Sequence, residues 1–309
     1  MDTRMLWLFS GVAGLLLLAS ATGVVLSYRV TTEAGRETVA NLNARIKAWW
    51  VMVALFALAF AFGKAITIGM FALVSFYCLR EFLSLTPARP SDHGAIAAAF
   101  YLFIPLQYFL VGIEWVAMLT IAIPVYAFLL LPVLSVLRGE TDDFLLRASK
   151  IQWGLMLTVF CISHAPALLM LEFEGYDSAF LLFYLVTVVQ LSDVLQYVFG
   201  KLYGKRKIAP GVSPSKTVEG FVGGGLAATL VGALLWWITP FSFLGAAAMS
   251  FVIVISGFLG GLVLSAVKRS LGAKDWGTMI AGHGGALDRM DSVTFAAPVF
   301  FHCVRYFHT

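Results

Sequence analysis

The chain has 309 residues, of which 60% are hydrophobic and 12% are charged, and its mean hydropathy is +0.89. A soluble globular domain is about one quarter charged, so this composition excludes a soluble protein and predicts an integral membrane protein. The net charge of +4 does not indicate a nucleic-acid partner, because polytopic membrane proteins collect Lys and Arg in their cytoplasmic loops.

Apolar runs recur along the whole chain, and each is long enough to cross a hydrocarbon core of about 30 Å. The first run follows a single arginine, Arg4, and is longer than the apolar part of a secretory signal, so we interpret it as a retained span. We predict an all-α, polytopic membrane protein with eight to ten transmembrane helices, in which residues 1–309 form a single membrane domain. The predicted spans are 5–27, 49–63, 65–79, 94–112, 116–137, 151–170, 178–198, 221–239, 242–264 and 292–307.

The connections between these spans alternate between rich and poor in basic residues. The rich ones are 28–48, 80–93, 138–150, 199–220 and 265–291, which hold four, two, three, five and four Lys or Arg. Basic loops face the cytoplasm, so we predict that these five loops are cytoplasmic in a bacterial inner membrane. Residues 31–48 are consistent either with an amphipathic segment lying on the membrane surface or with a solvated linker.

The first group of chemically useful residues begins in the seventh predicted span. Asp193 lies in its last turns, where a carboxylate is usually paired, bound to a metal ion or beside a water-filled cavity, and Tyr197 lies one turn further on. In the following loop, Ser213 and Thr217 offer hydroxyl groups and Lys216 an ammonium group. Such donors suit a polyphosphate, whose oxygens only accept hydrogen bonds. The alternative for the basic part of the loop is that it only sets orientation in the membrane.

The second group lies in the loop 265–291. Asp288 and Asp291 are three residues apart, so a helix would project both carboxylates from one face, where one divalent cation could bridge them. Basic residues in the same loop would neutralise phosphate charge, and these are Lys268, Arg269, Lys274 and Arg289. This mixture of acids and bases is typical of phosphoryl or nucleotidyl transfer.

A histidine between glycines completes this loop. His283 could bind a phosphate or ribose hydroxyl, act as a general base, or satisfy backbone groups in a tight turn. Gly284 and Gly285 would let the backbone turn and approach a ligand closely. A covalent nucleophile is not indicated, because the sequence has no G-x-S-x-G motif and no Cys/His pairing.

These residues resemble the signature of the phosphatidate cytidylyltransferases, also called CDP-diacylglycerol synthases. The resemblance covers roughly residues 190–300 and contains a dozen polar or glycine positions at the family's spacing. The signature is matched by Ser265, Lys268-Arg269, Lys274-Asp275, His283-Gly284-Gly285, Asp288-Arg289 and Asp291. An upstream block is matched by Asp193, Tyr197, Gly200, Gly204-Lys205, Pro210, Ser213-Pro214, Lys216-Thr217 and Glu219-Gly220.

The resemblance implies an enzyme that joins CTP and phosphatidate to give CDP-diacylglycerol and pyrophosphate, with Mg²⁺ required and a second cation left open. It implies that residues 190–300 carry the catalytic part, that residues 1–180 face the lipid acceptor, and that the protein is a homodimer among membrane lipids. The implied catalytic residues are Asp288, Lys268, Arg269, His283 and Lys274. The implied metal ligands are Asp288 first, then Asp291, with Asp193. The implied substrate contacts are Ser213, Lys216, Thr217, Glu219, Arg289, Tyr197, Gly284 and Gly285.

Two positions depart from the family pattern. Ala281 stands where the family usually has proline, which loosens a turn, and the second departure affects the metal site. Most members carry an acid four positions before the signature serine, where this chain has Gly261. Either Asp193 or another carboxylate substitutes, or the metal site is reduced. Two alternatives therefore stay open: a CTP-dependent enzyme that acts on another lipid phosphate or a polyprenol, and a non-catalytic paralogue.

Overall fold

The computed structural model describes residues 3–279 and 284–308, and within them the chain forms ten helical segments and one short hairpin. The helices are α1 (Thr3–Arg29), α2 (Glu33–Phe62), α3 (Lys64–Ser84), α4 (Pro90–Gly112), α5 (Val116–Val136), α6 (Phe144–Met170), α7 (Ala179–Tyr203), α8 (Val218–Leu234), α9 (Phe243–Ser270) and α10 (Leu287–His308). The antiparallel hairpin is formed by β1 (Lys207–Ala209) and β2 (Ser213–Thr217).

Eight of these described helices are long and apolar enough to cross a membrane, and α8 is a shorter apolar helix. This confirms the predicted all-α polytopic fold. One large apolar core joins residues from α3 through α10, whereas α1 buries only Met5 and Gly23. Among the last four helices, α8 and α10 each pack on α7 and α9, and this brings both predicted loops to the same end of the bundle.

Two of the predicted boundaries were wrong. Residues 33–62 form one continuous helix, so the segment 31–48 is neither a separate surface helix nor a linker. The reason is local, because this stretch contains no proline and is rich in Ala, Glu, Lys and Arg, which favour helix. The predicted span 221–239 is an α-helix only as far as Leu234, and a short 3₁₀ turn follows at Trp236–Ile238.

Close packing of α8 on α7 fixes the hairpin beside the end of α7. A Cβ atom at Gly224 would lie 2.3 Å from the backbone nitrogen of Gln196, so the two helices approach at the distance that glycine permits. Thr217 caps α8, since its hydroxyl accepts a hydrogen bond from the backbone N–H of Gly220 at 3.1 Å. β2 therefore enters α8 in a fixed direction, next to Asp193.

A buried ion pair joins the first turn of α4 to the start of α6. Arg147 Nε lies 3.0 Å from Asp92 Oδ2, and the two side chains are 5% and 2% exposed. The same guanidinium donates to the hydroxyl of Ser91 and to the backbone oxygen of Glu140. Breaking a buried pair of this kind leaves an uncompensated charge, which costs about 3–5 kcal/mol.

We therefore expect Arg147→Met to lower the free energy of unfolding by about 3 kcal/mol. The matched control is Lys64→Met, because the Lys64–Glu114 pair is 33% and 50% exposed and such pairs contribute roughly 0–1 kcal/mol. Thermal unfolding in detergent measures both variants. Equal midpoints for the two would contradict this account of the Asp92–Arg147 pair.

Candidate active site

Asp288 lies in the first turn of α10 and accepts three hydrogen bonds. Its Oδ2 accepts from the backbone N–H groups of Trp276 at 2.8 Å and Gly285 at 2.9 Å, and its Oδ1 accepts from Lys268 Nζ at 2.6 Å. The Asp288 and Lys268 side chains are 6% and 10% exposed. A carboxylate is favoured at a helix N-terminus. Through its three hydrogen bonds, Asp288 links the end of α9, the loop and the start of α10.

A second carboxylate at the same helix start comes from α3. Glu81 Oε1 accepts from the backbone N–H of Ala286, and Glu81 Oε2 accepts from that of Leu287, both at 2.9 Å. The next residue, Phe82, stacks on Trp276 with ring centroids 5.2 Å apart. From the sequence, Glu81 is expected to pair with its neighbour Arg80 at the end of a span or to border a headgroup pocket, and Trp276 is not singled out. The structure instead places Glu81 on the start of α10.

Gly284 and Gly285 pack against these two carboxylates. Gly284 has a positive φ of 77°, and a Cβ atom there would lie 2.6 Å from Asp288 Oδ2. A Cβ atom at Gly285 would lie 2.3 Å from Glu81 Oε2. The close approach predicted from these glycines is therefore made to the chain's own carboxylates.

Two further carboxylates meet at Ser292, one turn after Asp288. The Ser292 hydroxyl donates to Asp193 Oδ1 at 3.1 Å, and the Ser292 backbone N–H donates to Asp291 Oδ1 at 2.8 Å. Asp193 is exposed at this point of α7, so the pair can be reached from outside the bundle. The structure thus brings the span carboxylate Asp193 to Asp291 of the second loop.

Lys216 faces this pair from β2. Its ammonium group lies 4.7 Å from the centre of the Phe258 ring, and it interacts electrostatically with the carboxylates of Asp193 and Asp291. Burial lowers the pKa of Lys216 from its usual value, and the two carboxylates partly oppose this shift. Lys216 therefore belongs to the same cluster as the predicted metal ligands.

The other three predicted residues of the first loop are Thr217, Glu219 and Ser213, and the first two make hydrogen bonds within this part of the chain. Thr217 is the cap of α8 and is buried. Glu219 accepts hydrogen bonds from the backbone N–H groups of Lys205 and Arg206 and from Arg206 Nε. These bonds stabilise the ionised form and lower the pKa of Glu219 to about 2. Ser213 begins β2 and is half-buried.

The remaining predicted residues are more accessible. Arg269 joins the two loops, because its guanidinium donates to the backbone oxygens of Val212 at 3.3 Å and Ala273 at 3.1 Å. Lys274 is exposed, and so is Tyr197, whose ring lies under the ammonium group of Lys201. Arg289 is half-buried in the first turn of α10. His283 lies outside the described residues.

The described residues contain no group of three or more His, Cys, Asp and Glu side chains that could hold a metal ion. Asp193 and Asp291 nevertheless fit Mg²⁺, which binds through one or two carboxylates and completes its shell with waters and phosphate oxygens. In the described part of the chain, Asp193 and Asp291 each accept a hydrogen bond through Oδ1 only, so Oδ2 of each is available to a metal ion. Both oxygens of Asp288 already accept hydrogen bonds.

Glu81→Gln should lower the free energy of unfolding by about 2 kcal/mol, because one of the two buried acceptor oxygens becomes an NH₂ group, which cannot accept from the N–H group it faces. The control is Glu172→Gln, which alters an exposed acid in the loop after α6. Thermal unfolding compares the two variants. If Glu81→Gln is no less stable than the control, Glu81 does not hold the start of α10.

Comparison with known proteins shows which family the chain belongs to. The model of the cytidylyltransferase family matches residues 43–307. The uncharacterized protein YnbB of Escherichia coli strain K12 is 39% identical over 297 residues, which cover 94% of this chain and 95% of YnbB.

Two bacterial enzymes named phosphatidate cytidylyltransferase match over shorter lengths. The enzyme of Staphylococcus haemolyticus strain JCSC1435 is 36% identical over 158 residues, or 49% of this chain and 60% of that enzyme. The enzyme of Staphylococcus saprophyticus is 44% identical over 114 residues, or 36% of this chain and 44% of that enzyme. The chain therefore matches about half the length of these two enzymes. Since the family match covers most of the chain, the protein belongs to the cytidylyltransferase family and is a nucleotidyltransferase.

Proposed function

We propose that the protein is a phosphatidate cytidylyltransferase, which converts CTP and phosphatidate to CDP-diacylglycerol and pyrophosphate in phospholipid biosynthesis. The observation that carries the proposal is the cluster of Asp193, Lys216, Lys268, Asp288 and Asp291 at one end of a membrane-spanning bundle. The relatives named for this activity support it. We further propose that this end faces the cytoplasm, where CTP is available.

The reaction needs positioning and charge neutralisation more than covalent chemistry. An oxygen of the lipid phosphate forms a bond to the α-phosphorus of CTP, and the bond from that phosphorus to the oxygen bridging to the β-phosphorus breaks. The electron pair of the broken bond leaves with pyrophosphate. Both substrates are anionic, so fixed cations stabilise the charge that spreads over the phosphorus centre.

Lys268 is the most buried of the predicted site cations that the structure describes. It is almost completely buried, and its ammonium group is held on Asp288 at 2.6 Å. Of its three N–H donors, two or fewer remain for a phosphate oxygen once Asp288 has accepted one. Arg269, Lys274 and Arg289 lie in the loop between α9 and α10 or in the helix turns beside it. They would contact the outer phosphates or the lipid headgroup.

We propose Asp291 and Asp193 as the residues that hold Mg²⁺, and Asp288 as the residue that positions Lys268. This reverses the order in which the sequence ranked Asp288 and Asp291, because Asp288 already accepts three hydrogen bonds. When bound, Mg²⁺ would neutralise phosphate oxygens of the nucleotide. The homodimer and a second cation stay predictions.

The identity of the lipid acceptor needs its own test. The matches to enzymes named for phosphatidate cover about half of this chain, and YnbB, which matches almost all of it, is not named for any lipid. A panel of phosphatidate, an ether-lipid phosphate and a polyprenol, each with CTP and Mg²⁺, separates the alternatives. Product from phosphatidate alone supports the proposal, and product only from another acceptor would replace it.

Substitutions should show that the reaction needs both aspartates. We expect Asp291→Asn and Asp288→Asn each to lower kcat/KM by roughly 100-fold or more, as removal of one charge-stabilising group does in other enzymes. Glu174→Gln, in the exposed loop after α6, is the control and should keep the wild-type rate. Pyrophosphate release from CTP and phosphatidate measures all three, and full activity of Asp291→Asn would contradict the proposed site.

A further inference from the structure

The missing side chain at Gly261 leaves a space that an ammonium group fills. A Cβ atom at Gly261 would lie 2.8 Å from Lys216 Nζ, 3.6 Å from the Ser292 hydroxyl and 3.9 Å from Asp291 Oδ2. A carbon atom 2.8 Å from that nitrogen is too close, so the ammonium group would have to move if residue 261 carried any side chain. Gly261 is therefore a contact of Lys216 rather than an empty position.

Phe258 forms the other side of this space. It precedes Gly261 by three residues on α9, so the two lie on one helix face, and the Lys216 ammonium lies 4.7 Å from the centre of its ring. We call Phe258 and Gly261 the ammonium seat. The backbone beside Lys216 is held in place, because the next residue, Thr217, is buried and caps α8.

The seated ammonium faces the two carboxylates that share Ser292. Both Asp193 and Asp291 interact electrostatically with Lys216, and Lys268 adds a second positive charge near Asp291. Two carboxylates side by side repel each other, and one ammonium compensates one of the two charges. A divalent cation that binds the pair must then approach a fixed like charge, which weakens its binding.

We propose that Lys216, placed by the ammonium seat, is the built-in counter-cation of the Asp193–Asp291 pair and sets the affinity of this pair for divalent cations. The pair alone holds a divalent cation weakly, and the cation is retained when it arrives together with the phosphate oxygens of CTP. The inference rests on the proposed function only in treating this pair as the part of the site that faces the cation.

The test is a titration of the full-length protein in detergent with Mn²⁺ alone, without CTP or lipid, in which electron paramagnetic resonance measures the free ion. Lys216→Met removes the charge and leaves an unbranched apolar side chain one atom shorter, so Mn²⁺ should bind roughly tenfold more tightly or better. Gly261→Ala keeps every charge but displaces the ammonium group, and it should shift the affinity in the same direction. Lys207→Met, at the exposed first residue of β1, is the matched control and should bind like the wild type.

A third variant assigns any gain to the proposed pair. Adding Asp291→Asn to Lys216→Met should abolish the tighter binding. Unchanged Mn²⁺ affinity in Lys216→Met, or wild-type behaviour of Gly261→Ala beside a gain in Lys216→Met, would overturn the inference. Circular dichroism and thermal unfolding establish that each variant is folded.

The titration also separates this inference from the proposed function. It contains neither nucleotide nor lipid, so a protein that fails to use phosphatidate can still show the predicted order of Mn²⁺ affinities. Conversely, an active cytidylyltransferase whose Mn²⁺ affinity ignores Lys216 and Gly261 would remove only the counter-cation role.

Discussion

The three hydrogen bonds accepted by Asp288 are the constraint on which the rest of the site depends. They join the last turn of α9, through Lys268, to the loop residue Trp276 and to Gly285 just before α10. α3 supports the same junction, because Glu81 holds the first N–H groups of α10 and Phe82 stacks on Trp276. Helices far apart in the sequence therefore fix one ammonium group in a buried position.

Much of this architecture follows from the sequence. Composition alone indicates a membrane protein, and the charged motifs between long apolar runs indicate where chemistry takes place. The spacing of Asp288 and Asp291 places them on one helix, but it does not distinguish their surroundings. That difference arises from Trp276 and Gly285, whose backbone N–H groups reach Asp288 only after the loop folds back onto α3. No local pattern in "REFLS" announces that Glu81 will cap a helix some two hundred residues later.

The departure at Gly261 has a physical explanation in the packing of β2 on α9. From the sequence, the position looks like a lost acid. In the folded protein, the ammonium group of Lys216 stands against it, between an aromatic ring and two carboxylates. A carboxylate at residue 261 would add a third acid to the pair and need room that Lys216 now takes. Charge balance in this corner thus depends on one glycine and one lysine together.

We propose that the carboxylates have different roles: Asp288 holds Lys268, and the Asp193–Asp291 pair faces the cation. Anomalous scattering from Mn²⁺ in crystals grown with CTP measures this directly. We predict a strong peak within bonding distance of Asp291 or Asp193, with Lys268 still on Asp288. A peak bonded to Asp288, with Lys268 displaced from it, would contradict the account.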